Sequence, residues 1–380
     1  MAEPIRDLRV SGFRALTDLT IGPFGRVNLI TGRNNAGKSS LLEAIRILAT
    51  DGSPRTFYDI LNYREESESK STPEGERSYL PTDFSPYSGL FSGYPNLGQS
   101  DKGFTISTSG ERANVARSLS VRIGWFIEKV DADRRSVSYE SAQPDLFGET
   151  EGFPALEIES PERKRVIPVS RVTARLNPRI RALAEVSEGG LGPCLFLDPF
   201  SSRSTSQLAA LWDTIALTDT EKEVVGALRI ISSDIEAVSM IGSTESSSRP
   251  RTAIARSSHY STPVPLRTFG DGVNRLFGII LSLCSARTGI LLVDEIENGL
   301  HHSVLTDIWR AIFRLSRDLD VQVFATSHSW DCVESFQRAA VESPEDGTLV
   351  RLTLKGEQIV PTVFNEQELG VATRHQIELR

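Results

Sequence analysis

The sequence predicts an α/β fold in which a mostly parallel sheet is flanked by helices, with an antiparallel β part near its start and an inserted α+β region. Near both ends of the 380-residue sequence, short apolar runs typical of buried strands alternate with longer runs of helical periodicity. A glycine-containing turn joins one of these strands, at 27–31, to a helix. The middle third lacks this alternation, which indicates an insertion.

Residues 1–50 are predicted to form two short strands, a third strand with the sequence VNLIT, and a helix. The helix is indicated by Leu41, Leu42, Ile45 and Leu48, which recur at helical spacing. A strand, a turn with glycine and an amphipathic helix follow one another directly here. This order is typical of the start of a phosphate-binding α/β domain.

The middle of the chain reads differently. Residues 62–103 are rich in Ser, Glu, Pro and Gly, which predicts a long flexible loop. Strand patterns then occur at 119–127, 136–140, 154–160 and 165–171, a helical pattern spans 206–241, and a polar linker occupies 246–251. We therefore expect residues 51–259 to be an insertion that contains this loop, β hairpins and a helical segment.

From residue 260 the alternation of helix and strand returns. It predicts helices near 272–286, 303–317 and 330–340, strands at 289–293 and 321–326, and a hairpin around 355–356. Since strands that alternate with helices favour a parallel sheet, we expect residues 1–50 and 260–380 to form one domain.

The composition is that of a globular protein, with 39% hydrophobic and 24% charged residues and a net charge of −8. This acidic balance argues against a surface covered with cations. The sequence shows neither a leader pattern nor a run of about 18 apolar residues, so we expect a cytoplasmic protein without a membrane partner. Cys194, Cys284 and Cys332 are odd in number and widely spaced, which fits a reducing compartment and gives no zinc pattern.

The stretch GRNNAGKSS at 32–40 fits the phosphate-binding pattern G-x-x-x-x-G-K-[ST]. Its glycines allow main-chain N–H groups to surround a polyphosphate at the start of a helix. Lys38 is expected to reach the β- and γ-phosphates, and the Ser39 hydroxyl to bind Mg²⁺. The residues expected to contact the nucleotide are Gly32, Arg33, Asn34, Asn35, Ala36, Gly37, Lys38, Ser39 and Ser40.

Two carboxylates follow the predicted strand GILLV, and a histidine follows the strand VQVFAT. Asp294, at the end of its strand, is expected to hold Mg²⁺, and Glu295 to take the proton from the attacking water. His328 is expected to bind the γ-phosphate or to position that water. The adjacent His301 and His302 point about 100° apart on a helix, so we do not expect them to share a metal.

Together these motifs resemble the ABC-type ATPase clan, and within it the RecF/SMC-like branch. The opening stretch IRDLRVSGFRALTDLTIGPFGRVNLITGRNNAGKSSLLEAI is similar to the overcoming-lysogenization-defect (OLD) family ATPases and their stand-alone relatives. The stretch TFGDGVNRL resembles the signature loop of the clan, and LLVDEIENGLHHS its Asp-Glu strand with the loop that contacts the partner subunit. Too little sequence follows His328 for the TOPRIM nuclease domain of OLD proteins.

The resemblance implies an ATPase that uses ATP and Mg²⁺ and works as a head-to-tail dimer or larger assembly. Each signature loop would then face the nucleotide of the other subunit, with Phe269, Gly270, Asp271, Gly272 and the more distant Asn298 as contacts. Gly270 and Gly272 permit close approach of main-chain N–H groups to a phosphate. We expect the Asp271 side chain to cap the helix rather than to point at the phosphate.

Several assignments stay open at this stage. A Mg²⁺-sensing glutamine implied by the resemblance would be Gln99 or Gln143, and Arg14 would lie either near the nucleotide or in solvent. The basic run at 162–181 would be a solvated face, a contact for nucleic-acid phosphates or a contact for an acidic protein. The resemblance implies that the ATP state controls a separate effector such as a nuclease, in anti-phage defence. The alternative is a DNA repair or DNA-tethering ATPase of RecF type.

Overall fold

The computed structural model describes residues 5–64, 86–95, 102–109, 117–131, 136–142, 153–168, 190–199, 205–242, 251–343, 346–364 and 368. Within them the strands form a six-stranded sheet, a seven-stranded sheet and a three-stranded sheet. The predicted loop at 62–103 lies partly outside these residues, as do Gln99 and Gln143. In the described part of that loop Tyr87, Leu90 and Phe91 are buried while Tyr63 and Tyr94 are exposed, so this part is packed around 87–91.

The six-stranded sheet confirms the predicted mostly parallel sheet. Its strands, in spatial order, are β16 (Gln358–Phe364), β15 (Gly347–Lys355), β3 (Val27–Thr31), β14 (Gln322–Ser327), β13 (Ile290–Val293) and β9 (Cys194–Leu197). All neighbours are parallel except β15 and β16. Every residue of β3, β13 and β14 is buried, as expected of strands covered on both faces.

The seven-stranded sheet contains the predicted antiparallel part and extends it. In spatial order it runs β2 (Leu16–Ile21), β1 (Leu8–Phe13), β4 (Gly103–Thr108), β5 (Arg117–Asp131), β7 (Phe153–Glu159) and β8 (Lys164–Pro168), with β6 (Ser136–Ala142) paired to β5. All of these pairs are antiparallel. Strands from the middle of the chain therefore continue the sheet that the first two strands begin.

The helices cover the parallel sheet. They are α1 (Lys38–Ala49), α2 (Pro54–Tyr63), α3 (Thr205–Ile215), α4 (Asp219–Leu228), α5 (Asp271–Ser285), α6 (His302–Asp318) and α7 (Trp330–Val341). One apolar cluster packs α5, α6 and α7 against Leu29, Leu291 and Val323. A second packs α1, α2 and the antiparallel sheet against Ile30, Leu292 and Phe324. None of the helices in the described residues is long and apolar enough to cross a membrane.

Two expectations about the middle of the chain are wrong. Cys194–Leu197, which lies in the expected insertion, is the edge strand of the parallel sheet. Ile235–Ile241, predicted to be helical, is β10, and it pairs with β11 (Thr252–Ser257), which pairs in turn with β12 (Val264–Pro265). Side chains of β10 largely alternate between buried and exposed, so its period is that of a strand.

A buried carboxylate joins the antiparallel sheet to the helices. Glu43 of α1 forms an ion pair with Arg14, whose Nε lies 2.8 Å from Glu43 Oε2, and accepts a hydrogen bond from Arg64 Nε at 2.7 Å. Arg14 lies in the turn between β1 and β2, and Arg64 directly follows α2. Only 6% of the Arg14 side chain and 5% of the Glu43 side chain are exposed. Arg14 is thus buried in an ion pair rather than solvated.

Replacing Glu43 with alanine should strongly destabilise the fold, because it leaves two guanidinium groups without their shared carboxylate. A loss of about 3–5 kcal/mol in the free energy of unfolding is expected for breaking such a buried network. Urea unfolding of both chains measures it. Glu334→Ala is the control, because the Glu334–Arg338 pair is exposed and should contribute less than about 1 kcal/mol. Equal losses in the two variants would contradict the role of Glu43.

Candidate functional site

The predicted phosphate-binding loop lies between β3 and α1 and is shaped by two glycines. Gly32 has φ of 148° and Gly37 has φ of 85°, values that favour glycine. A Cβ at Gly32 would lie 2.5 Å from the Leu352 carbonyl oxygen, and a Cβ at Gly37 would lie 2.7 Å from Ile359 Cδ1. The loop therefore fits against β15 and β16 only with glycine at both positions.

Lys38 closes this loop on itself. Its Nζ donates to the carbonyl oxygens of Gly32 at 2.7 Å and of Arg33 at 3.1 Å. Burial lowers the pKa of Lys38, and the carboxylates of Asp294, Glu295 and Glu297 act against this shift. The ammonium is thus held over the loop in a field of carboxylates, where a polyphosphate could replace the carbonyl oxygens as its partner.

A cavity of about 290 Å³ opens at the loop and unites six of the predicted loop residues with Asp294 and Glu295. It is lined by Asn34, Asn35, Gly37, Lys38, Ser39, Ser40, Arg64, Asp294 and Glu295. Arg33 and Ala36 instead line a neighbouring cavity of about 440 Å³ beside β15, which Asn34 shares. Arg64 was not predicted, because its place at the cavity depends on α2, an element that the sequence pattern did not indicate.

Ser39 and Asp294 meet as the metal prediction requires. Ser39 Oγ donates to Asp294 Oδ2 at 2.9 Å, and Thr326 Oγ1 donates to Asp294 Oδ1. Asp294 is only 4% exposed, and the hydroxyl groups of Ser39 and Thr326 stabilise its charge where water is largely excluded. A hydroxyl and a carboxylate beside a phosphate-binding loop are the hard oxygen ligands that Mg²⁺ takes together with substrate phosphates. These residues therefore fit a magnesium ion.

Glu295 is held differently from Asp294. Its φ of 47° lies in the left-handed region, which is strained for a residue with a side chain. Its main-chain N–H donates to Thr326 Oγ1 at 2.8 Å, which fixes this conformation. The side chain is 42% exposed, and its Oε1 lies 4.0 Å from His328 Nδ1. Geometry thus leaves this carboxylate accessible to a water molecule at the cavity.

His328 follows β14 and contacts a carboxylate that sequence reasoning did not single out. Glu297 Oε1 accepts the main-chain N–H of His328 at 3.0 Å and the Ser327 hydroxyl at 2.8 Å. The same oxygen lies 3.4 Å from His328 Nδ1. The sequence does offer a signal for Glu297, which is the second acidic residue after Asp294 in the run DEIEN. The direction of its side chain could not be derived from the sequence.

The signature-like loop does not reach this cavity within the described residues. Its four positions, Phe269–Gly272, and also Asn298 contribute nothing to the cavity lining. The Asn298 side-chain amide donates to the Pro199 carbonyl oxygen at 3.3 Å. Gly270 has φ of 97° and an open surrounding in which an added Cβ would meet no atom within 4 Å. Within one chain, the predicted nucleotide contacts therefore form two separate groups, one at the cavity and the other at the loop 269–272 and Asn298.

The expectation that Asp271 caps α5 is wrong. Gly270 occupies the N-cap position, so Asp271 is the first helical residue and makes no capping hydrogen bond. A first helical residue cannot supply the N-cap oxygen that accepts N–H groups further along the helix. The Asp271 side chain is exposed at the helix start, where its charge is favoured by the helix dipole.

The cations in the described part of the basic run at 162–181 are engaged in ion pairs within the chain. Arg163 and Arg165 each contact Asp51 at 2.8 Å, and Lys164 contacts Glu157 at 2.6 Å. The other predicted cations, Arg171, Arg175, Arg179 and Arg181, lie outside the described residues. The part of the run that the structure describes therefore favours an internal ion-pair network over a contact for phosphates.

Thr326→Val should reduce ATP turnover and preserve nucleotide binding, because the valine leaves the Glu295 N–H and the Asp294 carboxylate without their hydroxyl partner. Unsatisfied buried groups of this kind cost about 1–3 kcal/mol, equivalent to about 5- to 150-fold in rate. Steady-state phosphate release and binding of a fluorescent ATP analogue measure the two effects.

Thr326→Ser retains a hydroxyl and should restore most of this turnover. Thr50→Val is the matched control, because the Thr50 hydroxyl is also buried but donates to the Arg46 carbonyl oxygen at the end of α1. If Thr50→Val lowers turnover as much as Thr326→Val does, the effect is one of general stability.

This chain is similar in sequence to a protein family and to several known proteins. A family model matches residues 27–331, and its description is AAA_21, "AAA domain, putative AbiEii toxin, Type IV TA system". The chain is similar to an ATP/GTP phosphatase of Helicobacter pylori, with 23% identity over 404 aligned positions, 96% of this chain and 99% of that protein. A shorter part, 17% of each chain, is 43% identical over 65 residues to the DNA replication and repair protein RecF of Teredinibacter turnerae.

Solved structures give the same picture for the fold. An SMC head bound to the C-terminal winged-helix domain of ScpA is similar with a TM-score of 0.53 and 11% identity, covering 98% of this chain and 99% of that one. An Smc head domain with an extended coiled coil, bound to the C-terminal domain of ScpA derived from Pyrococcus furiosus, has a TM-score of 0.50 and 10% identity, with the same coverage. At these identities the likeness shows the fold alone.

Proposed function

The chain belongs to the AAA_21 family and is an ATPase of the RecF/SMC/OLD-like branch of ABC-type ATPases, and from this premise we propose that it works as a Mg²⁺-dependent head-to-tail dimer or larger assembly whose ATP state controls a separate effector. One observation carries the proposal. The cavity that joins Lys38, Ser39, Asp294 and Glu295 receives no residue of the loop at 269–272 within the described part of the chain.

We propose that the Lys38 ammonium exchanges its partners when ATP binds. It would leave the carbonyl oxygens of Gly32 and Arg33 and donate to the β- and γ-phosphates. The N–H groups at the start of α1 would bind the same phosphates. Ser39 and Asp294 would hold Mg²⁺, which when bound neutralises phosphate charge and orients the γ-phosphate. The arriving phosphate charge also favours the ammonium form of Lys38 against its burial.

We propose different tasks for the two adjacent carboxylates. Asp294 is buried and engaged by the hydroxyls of Ser39 and Thr326, which suits ligation. Glu295 is accessible at the cavity, so its carboxylate would accept the proton of the attacking water. His328, 4.0 Å from Glu295, would bind the γ-phosphate or orient the same water.

A second copy of this chain would complete the site. Gly270 leaves open space at the start of α5, and the helix N-terminus offers N–H groups and positive potential to a phosphate. In a two-fold dimer each α5 would face the cavity of the other subunit, giving two composite sites. Asn298 would lie in the same interface, because it belongs to the loop that follows Glu295.

The role of the assembly is proposed from similarity. The words "putative AbiEii toxin, Type IV TA system" in the family description support a bacterial defence module in which this ATPase signals to an effector such as a nuclease. The similarity to RecF covers 17% of the chain and supports the alternative of a DNA repair or tethering ATPase. Binding to duplex DNA that weakens steeply with salt would favour that alternative.

Glu295→Gln should retain ATP binding and lose about 10²- to 10⁴-fold in turnover, because the amide accepts a hydrogen bond but takes no proton. Single-turnover hydrolysis and equilibrium binding separate the two steps. Glu334→Gln, at an exposed carboxylate on α7, is the matched control and should turn over normally. Turnover of Glu295→Gln within a few-fold of the parent chain would place the base elsewhere.

The same variant tests effector control, because it holds ATP without hydrolysing it. A nuclease encoded beside this chain should differ in activity with Glu295→Gln and with Lys38→Ala, which lacks the ammonium of the cradle. Identical nuclease activity with the ATP-trapped and the ATP-free variant would contradict control by the ATP state.

Subunit mixing should show that the loop acts on the partner's site. Lys38→Ala disables the cradle, and Asp271→Trp places a ring at the exposed start of α5 without removing a cap. Each variant alone should be inactive, but their heterodimer has one intact site. Random pairing gives about half heterodimers, so about a quarter of the parent ATPase activity should return. If none returns although subunits exchange, either the loop serves its own subunit or the two sites cannot act independently.

A further inference from the structure

We propose that Arg275 is a positioning residue that fixes the main chain of Glu295 in its own subunit and so joins that subunit's hydrolytic site to the loop that faces the partner. This inference rests on the proposed function, because it takes Glu295 as the base and the start of α5 as the partner-facing element. Arg275 belongs to the stretch TFGDGVNRL and lies one turn into the helix, but the sequence assigned it no role.

The Arg275 guanidinium binds three main-chain carbonyl oxygens at the end of the parallel sheet. Nη1 donates to Asp198 O at 2.7 Å, and Nη2 donates to Asp294 O at 2.8 Å and to Glu295 O at 3.1 Å. Asp198 follows β9, and Asp294 follows the neighbouring strand β13. One side chain of α5 therefore holds together the carboxyl ends of two adjacent strands.

Arginine suits this position for geometric and electrostatic reasons. Its planar fork offers several N–H donors in fixed directions from separate nitrogens, whereas the three donors of a lysine ammonium share one nitrogen. Only 1% of Arg275 is exposed. Burial lowers the pKa of Arg275, while Asp198, Asp294, Glu297 and Glu295 favour its charged form. The cation is thus kept in the interior by the carboxylates around the proposed active site.

The main chain of Glu295 is the part of the site that most needs such support. Its φ of 47° is strained, and its N–H is held by the Thr326 hydroxyl on β14. Its carbonyl oxygen accepts both Arg275 Nη2 and the N–H of Asn298 at 3.0 Å. Without Arg275, the main chain of Glu295 keeps its hydrogen bond to Thr326 on β14 but loses its hydrogen bond to α5. The direction of the Glu295 carboxylate is then less well defined.

A second contact joins the first turn of α5 to the loop after Glu295. A Cβ added at Gly272 would lie 3.1 Å from the Gly299 carbonyl oxygen, so the two backbones are close to contact. Gly272 and Arg275 lie within one turn of each other on the same helix. The start of α5 and the loop around Glu295 are therefore joined at two points, through Arg275 and through the contact of Gly272 with Gly299.

Arg275→Lys should bind ATP with a dissociation constant within about threefold of the parent chain and lose about 10- to 100-fold in kcat. Arg275→Gln, which keeps one donor and no charge, is the second variant should lysine disturb folding. Arg229→Lys is the control, because the Arg229 guanidinium also binds a main-chain carbonyl, Ile235 O at 2.8 Å, away from the site. Thermal unfolding is recorded for all three chains. If ATP binding and kcat fall together with the unfolding temperature in the same way in all three variants, the effect is one of general stability and the proposal is overturned.

Crossed mixing decides which site Arg275 serves. With Asp271→Trp, Arg275→Lys should recover about a quarter of the parent activity, because both lesions fall in one composite site. With Lys38→Ala it should recover nothing, because each site then carries one lesion. If activity returns when Arg275→Lys is mixed with Lys38→Ala but not with Asp271→Trp, the assignment of Arg275 to its own subunit's Glu295 is overturned. The same holds if activity returns with neither variant.

The reference pair Lys38→Ala and Asp271→Trp separates this inference from the proposed function. If that pair recovers activity and the Arg275 crosses do not follow the expected pattern, Arg275 has another role and the composite site stands. If the reference pair fails, the composite site is wrong. The loss of kcat at unchanged ATP affinity in Arg275→Lys then still supports positioning of Glu295, and normal kcat overturns it.

Discussion

The parallel pairing of β14 between β3 and β13 is the constraint on which the rest of the structure depends. Ser327 pairs with Thr31, and Ala325 pairs with Val293, so the three strands end at one edge of the sheet. The phosphate-binding loop, Asp294 and His328 each follow one of these strands. Ser39 and Asp294 lie 255 residues apart in the sequence, yet this pairing places their oxygen atoms 2.9 Å apart. The chemistry at the edge is therefore a product of strand register.

The sequence predicted those parts of the fold and site whose signal is local. A glycine-rich turn between a β-branched strand and an amphipathic helix needs no distant partner to be recognised as a phosphate-binding loop. The likeness to SMC heads confirms the ABC-type fold that the resemblance of all the motifs implied. The edge strand Cys194–Leu197 escaped because four residues are too few to show a period. Ile235–Ile241 was assigned to a helix because mixed apolar and small residues fit both periods over a short window.

The unpredicted site residues share a different property, which is that each acts through a contact with a group that is distant in the sequence. Thr326 accepts the N–H of Glu295, and Arg275 donates to carbonyl oxygens at two strand ends. Arg64 reaches the cavity from the end of α2, where Glu43 holds it. Such partners are set by tertiary packing, and a single sequence carries no pattern that identifies them. The incorrect expectation for Asp271 has a local cause, because a shift of one residue in the helix start removes its capping role.

The position of β3 also determines when the phosphate-binding loop can exist during synthesis. Its neighbours in the sheet come late, since Asn28 bonds to Val323 across 295 residues and Thr31 to Val350 across 319. A ribosome that makes about 5–20 residues per second completes these neighbours many seconds after the loop itself has emerged. Over that interval the glycines have no β15 to lie against and the exposed edges of β3 have no partner strands. The growing chain thus lacks the neighbours that shape the phosphate-binding loop until β14 and β15 have been translated, and chaperones have this period in which to act on it.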